Sequence, residues 1–432
     1  MELLFKDITV LPMEDGKVLR NACVGIDNGK IVFMDEHAQG LTANRIIDGT
    51  DKLLLPGFYN CHAHTPLSLL RGYASDLNLQ EWLFGYIFPA EQKYAKGMVY
   101  TGAMLSVAEM ISNGVISFSD MYFMMDEVSE AVGESGMKAN LSNGMTAFSP
   151  EFDYYNDRSY TETKYILDTY HNKADGRIKA DAGIHAVFTS FDRAWRQAVE
   201  FAKENELIMQ LHLSETREEH ENCKKKYGKT PAQVLDEHGV FDVRAIAAHC
   251  VWLEDQDIEI LKKKSVTTIH NPVSNLKLSS GVAPIERFFN AGVNVALGTD
   301  GAASNNSQDI LADLKLASIL QKYHTNDPTA LPAYEALKLI TVNGAKAQGR
   351  ENESGRIALG LDADIVVLDM HTPRQTGMID PAAAVVYSCT GRDVEMTMCR
   401  GRVLYEKGKY KTIDIEKVLF DANQAAKEIV CG

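Results

Sequence analysis

From about residue 53 to residue 300, short apolar and β-branched runs alternate with longer amphipathic stretches. Eight runs read as strands: LLLPGFYN (53–60), VISFSD (115–120), KANLSNG (138–144), IKADAGIH (178–185), IMQLHLSE (208–215), AIAAHC (245–250), VTTIHNP (266–272) and VNVALGTD (293–300). Several are apolar on both faces, as strands covered by helices on both sides must be. The stretches between them have helical signals. TGAMLSVAEMISNG stops at Gly114. KTPAQVLDEHG opens with Thr230 as N-cap and Pro231 at the first helical position, and Gly239 follows its end. Eight strands alternating with helices predict an α/β fold, a (β/α)8 TIM barrel, with a doubly wound parallel sheet as the alternative.

The flanks have a different texture. LLFKDITVLP and CVGIDNGKIVFMD read as short strands, the second containing a turn at Asp27-Asn28-Gly29. After about residue 355 strand patterns return, in GRIALGLDADIVVLD and VEMTMCRGRVLYEKGKY. The predicted layout is therefore a barrel over 57–350 and a small β-sandwich domain built from both termini, 1–56 and 351–432, since chain ends often lie close together.

Composition narrows the function. The formal net charge is -15 over 432 residues, which argues against a nucleic acid or an acidic membrane surface as partner. The seven cysteines form no C-x-x-C pair, so neither a disulfide framework nor a cysteine zinc finger is expected. The first residues, MELLFKDITVLPMEDGK, lack the basic region and apolar core of a signal peptide. No run approaches the ~20 apolar residues of a membrane span. A cytoplasmic protein is expected.

The polar residues of the central region gather where the predicted strands end, and barrel enzymes carry their active sites at that face. Strand one ends in His62-Ala63-His64, strand five in His212-Leu213-Ser214-Glu215, strand six in His249, strand seven in His270-Asn271-Pro272 and strand eight in Thr299-Asp300. Residues i and i+2 of a strand face the same way, so His62 and His64 can grip one cation. Singly, each end has a duller reading: a chance H-x-H, a core histidine, a turn at Asp300-Gly301. Five such ends at one mouth favour a metal centre. His62, His64, His212 and Asp300 supply three nitrogens and one carboxylate, a set that suits one divalent ion, Zn²⁺ first, with Fe²⁺, Mn²⁺ or Ni²⁺ also accepted. Glu215 stands three residues beyond His212 and can shuttle protons. His249 can orient water or polarise a substrate. Strand four offers His185 and no lysine, which disfavours a second metal bridged by a carbamylated lysine.

With these residues assembled, the chain resembles the amidohydrolase superfamily, and within it the methylthioadenosine/S-adenosylhomocysteine deaminase branch, near the triazine hydrolases. LPGFYNCHAH, LLRGYASDLNLQEWL, the HLSE and AHC strand ends, HNPVSNLKLSSG and LGTDGAASNN carry the resemblance over nearly the whole chain. It implies metal-dependent hydrolytic deamination of an adenine nucleoside, with His62, His64, His212 and Asp300 as metal ligands and Glu215 as the acid/base at purine N1. It also implies that His249 and Asp300 activate water, that Trp82 and Glu91 hold the nucleoside and its ribose, and that His185 makes a further substrate contact. A homo-oligomer is the family habit. One departure stands out. The branch is expected to hold the S-adenosylhomocysteine tail with arginines after strand three, and NLSNGMTAFSPEFDYYNDRSY has only Arg158 there. Adenosine, 5′-deoxyadenosine and methylthioadenosine are therefore at least as well suited as the charged substrate. The rival readings are an aminohydrolase or chlorohydrolase for guanine, a pterin or a triazine, and a non-catalytic scaffold. The intact ligand set argues against the scaffold.

Overall fold

The computed structural model describes residues 1–36, 40–149, 151–377 and 379–431. Its centre is a ring of parallel strands with helices between them, Phe58–Ala63, Val115–Tyr122, Lys138–Asn143, a divided fourth strand, Met209–Leu213, Ala245–His249, Thr267–His270 and Val295–Leu297. The fourth strand is in two pieces. Ile178–Ala180 pairs with strand three, and Ala182–Ile184 pairs with strand five. The change of partner occurs at Asp181, whose N–H bonds Leu141 O at 2.8 Å while the next N–H, of Ala182, bonds Ile208 O at 2.8 Å. The ring returns to its start where Asp300 N–H donates to His62 O at 2.9 Å.

The helical signals hold with small shifts. The first long helix is Met98–Ser112, and Gly114 beyond it adopts φ +84°. Pro231–Glu237 opens with a full capping box in which Thr230 and Gln233 bond each other's backbone N–H. Among the described residues, no helix is long and apolar enough to cross a membrane.

The strands at the two ends of the chain share one nine-stranded sheet. Asn28 and Gly29, both at positive φ, turn the hairpin between Leu19–Asp27 and Lys30–Asp35. The two ends of the chain meet where Lys52–Pro56 runs antiparallel to Ile365–Asp369, Leu54 facing Val367. A second, smaller hydrophobic cluster, including Phe5, Ile8, Val24, Leu54 and Ile365, belongs to this sheet.

The structure corrects one strand. LLLPGFYN was expected to be a single barrel strand, yet Lys52–Pro56 lies in the terminal sheet and only Phe58 onward enters the barrel. The chain crosses at Gly57, whose N–H bonds Asp364 O while that of Phe58 bonds Gly114 O, both at 3.0 Å. A Cβ on Gly57 would lie 2.5 Å from the Ile116 side chain. Periodicity could not reveal the change, because both pieces are buried and apolar.

One buried ion cluster joins barrel and sheet. Lys138, 1% exposed on strand three, reaches Asp362 and Asp364 at 2.7 Å each. Asp362 also pairs with Lys30, so Asp364 depends most on Lys138. Removing one partner of a buried pair costs about 3–5 kcal/mol because the other charge is stranded. Lys138→Met should therefore lower the melting temperature sharply while leaving the kcat of the folded enzyme near the parent's. Differential scanning calorimetry with a parallel activity assay checks both.

Candidate active site

His62 lies within strand one and His64 just beyond its end. The turn that follows is tied to strand two, where Asp120 accepts from Thr65 N–H at 3.2 Å and from the Thr65 hydroxyl. His212 is on strand five and His249 closes strand six. Where these strands end, the backbone is forced into the left-handed region at Ser214 (φ +47°), His249 (+71°), Cys250 (+51°) and Asp300 (+64°). None is glycine, and each costs roughly 1–3 kcal/mol unless its surroundings hold it. Strain of this kind gathers where side chains must be aimed rather than merely packed.

Four of the predicted residues converge. His64 Nε2 lies 3.4 Å from His212 Nε2 and 3.2 Å from Asp300 Oδ1, and His62 Nε2 is 3.5 Å from the same oxygen. His64 Nδ1 is 2.6 Å from Met121 O, and His212 Nδ1 is 2.7 Å from His185 O. A carbonyl can only accept, so both rings carry hydrogen on Nδ1 and turn Nε2 toward each other. In their neutral forms, two lone pairs face across that gap. A proton on His64 Nε2, shared with Asp300, satisfies part of the cluster. Burial lowers the pKa of His64, but the hydrogen bond and charge of Asp300 outweigh it and lift it to about 9. Burial likewise works to raise Asp300, and His64 and its neighbours hold it well below the usual carboxylate range. That single proton leaves His62 Nε2 buried without a partner. Burial above all, and then neighbouring histidines, hold His62 and His212 neutral. Neutral imidazoles, an ionised carboxylate and an orphaned buried nitrogen are what a divalent cation requires, so the residues fit one. His249 also closes a group with His62 and His212 whose ligand atoms lie within 4.8 Å of one another, so it stands at the edge of the same centre.

Glu215 and His249 sit beside this cluster. Glu215 Oε2 is 3.7 Å from His249 Nε2. Burial chiefly raises the Glu215 pKa, Asp300 adds to it, and His249 and Ser280 oppose it. A carboxyl held protonated nearer neutral pH can act as an acid. Glu219, behind it, accepts the Glu215 backbone N–H at 2.8 Å.

The cluster forms the floor of a cavity of about 740 Å³ lined by His64, His212, Glu215, His249 and Asp300 below and by Trp82, Glu91 and His185 above. The volume suits a nucleoside-sized ligand. Trp82 is buried in a short helix capped by Asn78. Glu91, partly buried, is raised to about 7 by burial, against the pull of Tyr122 and His64. His185 bonds Thr189 Oγ1 at 2.9 Å, and its ring is 4.9 Å from that of His212. Every predicted site residue but His62 thus borders one space, and His62 lies buried behind it against Asp300. Strand seven is the exception among the five polar ends: His270 is buried, both ring nitrogens lack partners, and it does not line the cavity. Its loop contributes through residues not singled out from the sequence. Ser274 Oγ donates to Asp300 Oδ2 at 2.6 Å, Asn275 Oδ1 is 2.8 Å from His249 Nδ1, and Ser280 Oγ donates to Glu215 Oε1 at 3.2 Å. Phe88, Phe148 and Phe188 also line the cavity. Phe148 begins the aromatic stretch FSPEFDYY after strand three, whereas for Phe88 and Phe188 only their aromaticity could have hinted at that.

Known proteins resemble this chain over its length. The model of the amidohydrolase family matches residues 53–404. A 5-methylthioadenosine/S-adenosylhomocysteine deaminase from Thermoanaerobacter pseudethanolicus is 40% identical over 431 residues, covering 100% of both chains. A 5′-deoxyadenosine deaminase from Methanosarcina acetivorans is 41% identical over 430 residues, 99% of this chain and 98% of that one. Among solved structures, a zinc-bound adenosine deaminase from Xanthomonas campestris superimposes with a TM-score of 0.95 at 29% identity, over 100% of this chain and 99% of that one. The zinc complex of an atrazine chlorohydrolase from Arthrobacter aurescens gives 0.89 at 23% identity, over 98% and 100%, a likeness of fold alone. With its site geometry, this chain belongs to the amidohydrolase family.

Proposed function

We propose that the protein deaminates an adenine nucleoside by hydrolysis. The observation that carries this reading is Glu215, buried beside His249 at the floor of a nucleoside-sized cavity, within reach of the histidine–aspartate cluster. The full-length relatives named as deaminases support it. A divalent cation, Zn²⁺ in this reading, would be held by His62, His64, His212 and Asp300, and supplies an acidified water at neutral pH.

The chain's own residues do the rest. Trp82 packs on the nucleoside and Glu91 accepts from the ribose hydroxyls, which brings C6 to the floor. His249 hydrogen-bonds the oxygen that adds to C6. Asp300 takes a proton from that water, and Glu215 gives its proton to N1, so no charge builds on the ring as C6 becomes tetrahedral. The C6–N bond then breaks. The leaving amine takes the proton from Asp300, and the new hydroxyl returns one to Glu215. The sum is nucleoside plus water to inosine analogue plus ammonia.

The far end of the cavity favours uncharged substituents at the 5′ position. Among the described residues, Arg158 is the one lysine or arginine lining it. Its Nε is bound by Glu162 at 2.5 Å, and Asp157 is adjacent. Glu162 is itself fixed by Asn143 Nδ2 at 2.6 Å and Met124 N–H at 3.0 Å. Glu162 thus offsets the charge of Arg158 and weakens its pull on a substrate carboxylate. In this reading the aromatic FSPEFDYY segment serves an uncharged tail: its first residue, Phe148, lines the cavity, and Pro150 within it lies outside the described residues.

Three outcomes are expected. Ammonia release from 5′-methylthioadenosine or 5′-deoxyadenosine should exceed that from S-adenosylhomocysteine by about tenfold or more in kcat/KM, the size of one modest charge contact. Equal values would remove the argument from Arg158 and Glu162, and no release from any adenine nucleoside would end the substrate reading. Glu215→Gln should keep its metal, measured by atomic emission, and lose about 10²-fold or more in kcat. Glu91 accepts hydrogen bonds best when ionised, so KM should rise as pH falls through about 7. Glu91→Gln should have a higher KM without that pH dependence.

A further inference from the structure

We infer that the helix and turn following strand seven form one positioning device that aims all three acid–base groups of the site: Ser274 fixes Asp300, Asn275 fixes His249, and Ser280 fixes Glu215. The inference rests on the hydrolytic reading above, and extends it to residues that touch neither substrate nor cation.

The three groups come from strands eight, six and five, while their partners all come from the loop of strand seven. The helix Pro272–Lys277 starts just beyond that strand. Ser274, Asn275 and Ser280 are all buried. Their bonds divide each carboxylate into a held oxygen and a working oxygen. Ser274 Oγ donates to Asp300 Oδ2 at 2.6 Å, leaving Oδ1 to face His62 and His64. Ser304, on the loop of Asp300 itself, adds a second hydroxyl to Oδ2 at 2.9 Å. Ser280 Oγ donates to Glu215 Oε1 at 3.2 Å, leaving Oε2 on the side of His249 as the atom that carries and delivers the proton.

Asn275 completes the set. Its Oδ1, 2.8 Å from His249 Nδ1, receives that ring's proton and turns Nε2 into the site. An amide oxygen does this without adding a charge. The Nδ2 of Asn275 is buried and unpartnered, a cost that a residue present for packing would not incur. The amide is oriented for His249 at the expense of its own second half.

The three residues are mechanically linked. Ser280 N–H bonds Asn275 O at 2.8 Å, Leu278 N–H bonds Ser274 O at 2.9 Å, and Asn275 N–H bonds Asn271 O at 3.0 Å. Ser280 O in turn accepts from the Trp252 indole N–H at 2.7 Å, three residues after His249. Gly281 lets this contact form: it sits at φ +127°, and a Cβ there would come 2.8 Å from Val251. Leu278, on the same turn, lines the cavity. The loop of strand seven is thereby locked to that of strand six.

The experiment compares Ser280→Ala, Ser280→Thr and Asn275→Ala with the parent, each loaded with metal, measuring kcat, KM, metal content and melting temperature. A tetrahedral purine riboside analogue, hydroxylated at C6, is titrated calorimetrically in parallel. Ser280→Ala and Asn275→Ala should lose about tenfold or more in kcat with KM within about twofold, since misaimed groups weaken the transition state rather than the bound substrate. Affinity for the tetrahedral analogue should fall in step with kcat. Metal content should not change, and Ser280→Thr, which keeps the hydroxyl, should recover most of the loss. Parent-like kcat in both alanine variants overturns the inference. So does a loss that follows metal content or melting temperature, or that threonine does not rescue. If Ser280→Ala does not fold, Ser280→Cys takes its place under the same criteria. If the parent turns over no adenine nucleoside, the substrate reading alone fails, and the variants are compared on the heterocyclic amine the parent does hydrolyse.

Discussion

Three imidazole nitrogens and an ionised carboxylate, buried within a few ångströms of one another, demand positive charge between them. A proton shared by His64 and Asp300 meets part of that demand, and His62 Nε2 remains unsatisfied. The rest of the site follows from holding this cluster together. Backbone carbonyls of Met121 and His185 hold two of the rings in one tautomer. Strand ends are bent into the left-handed region to aim Asp300, His249 and the approach to Glu215. The closing bond of the barrel, Asp300 N–H to His62 O, is made by two residues of the cluster itself. Closure of the barrel and the geometry of the cluster therefore depend on the same two residues.

The same burial acts on Glu215, the acid of the proposed reaction. It is buried, so its charged form is disfavoured, and Asp300 nearby adds to the effect. The short helices carrying Trp82 and Glu91 line the cavity with it. Hydrogen bonds buried among the apolar side chains of this cavity count for more than they would in water.

Much of this was legible in the sequence, for a definable reason. Strand ends in a parallel barrel all point to one face, so polar residues that end successive apolar runs must meet. That logic brought His62, His64, His212 and Asp300 into one cluster with Glu215 and His249 beside it, although His64 and His212 are 148 residues apart. The resemblance to the amidohydrolases placed Trp82, Glu91 and His185 above them. The strand-end logic failed at His270, which shares the pattern of its neighbours but does not line the cavity. It also failed at LLLPGFYN and at IKADAGIH, where one apolar run serves two partners. A run records burial and not the identity of the neighbour, so a change of sheet at Gly57 or of partner at Asp181 leaves no mark on periodicity.

The sequence by itself determined the alternation of strand and helix, the face on which the chemistry gathers, and the kinds of donor atom brought there. Each follows from local rules: the two-residue period of a strand, helix caps such as Thr230, and the preference of nitrogen and carboxylate ligands for a divalent ion. Only the tertiary structure decided which oxygen of Asp300 and of Glu215 is held and which is left to react, and that Ser274, Asn275 and Ser280 do the holding. It alone showed that Arg158 is matched by Glu162 and that Lys138 crosses to the terminal sheet. Those outcomes depend on distances between side chains carried by different strands. Such distances follow from how the barrel closes, and no local window of residues contains them.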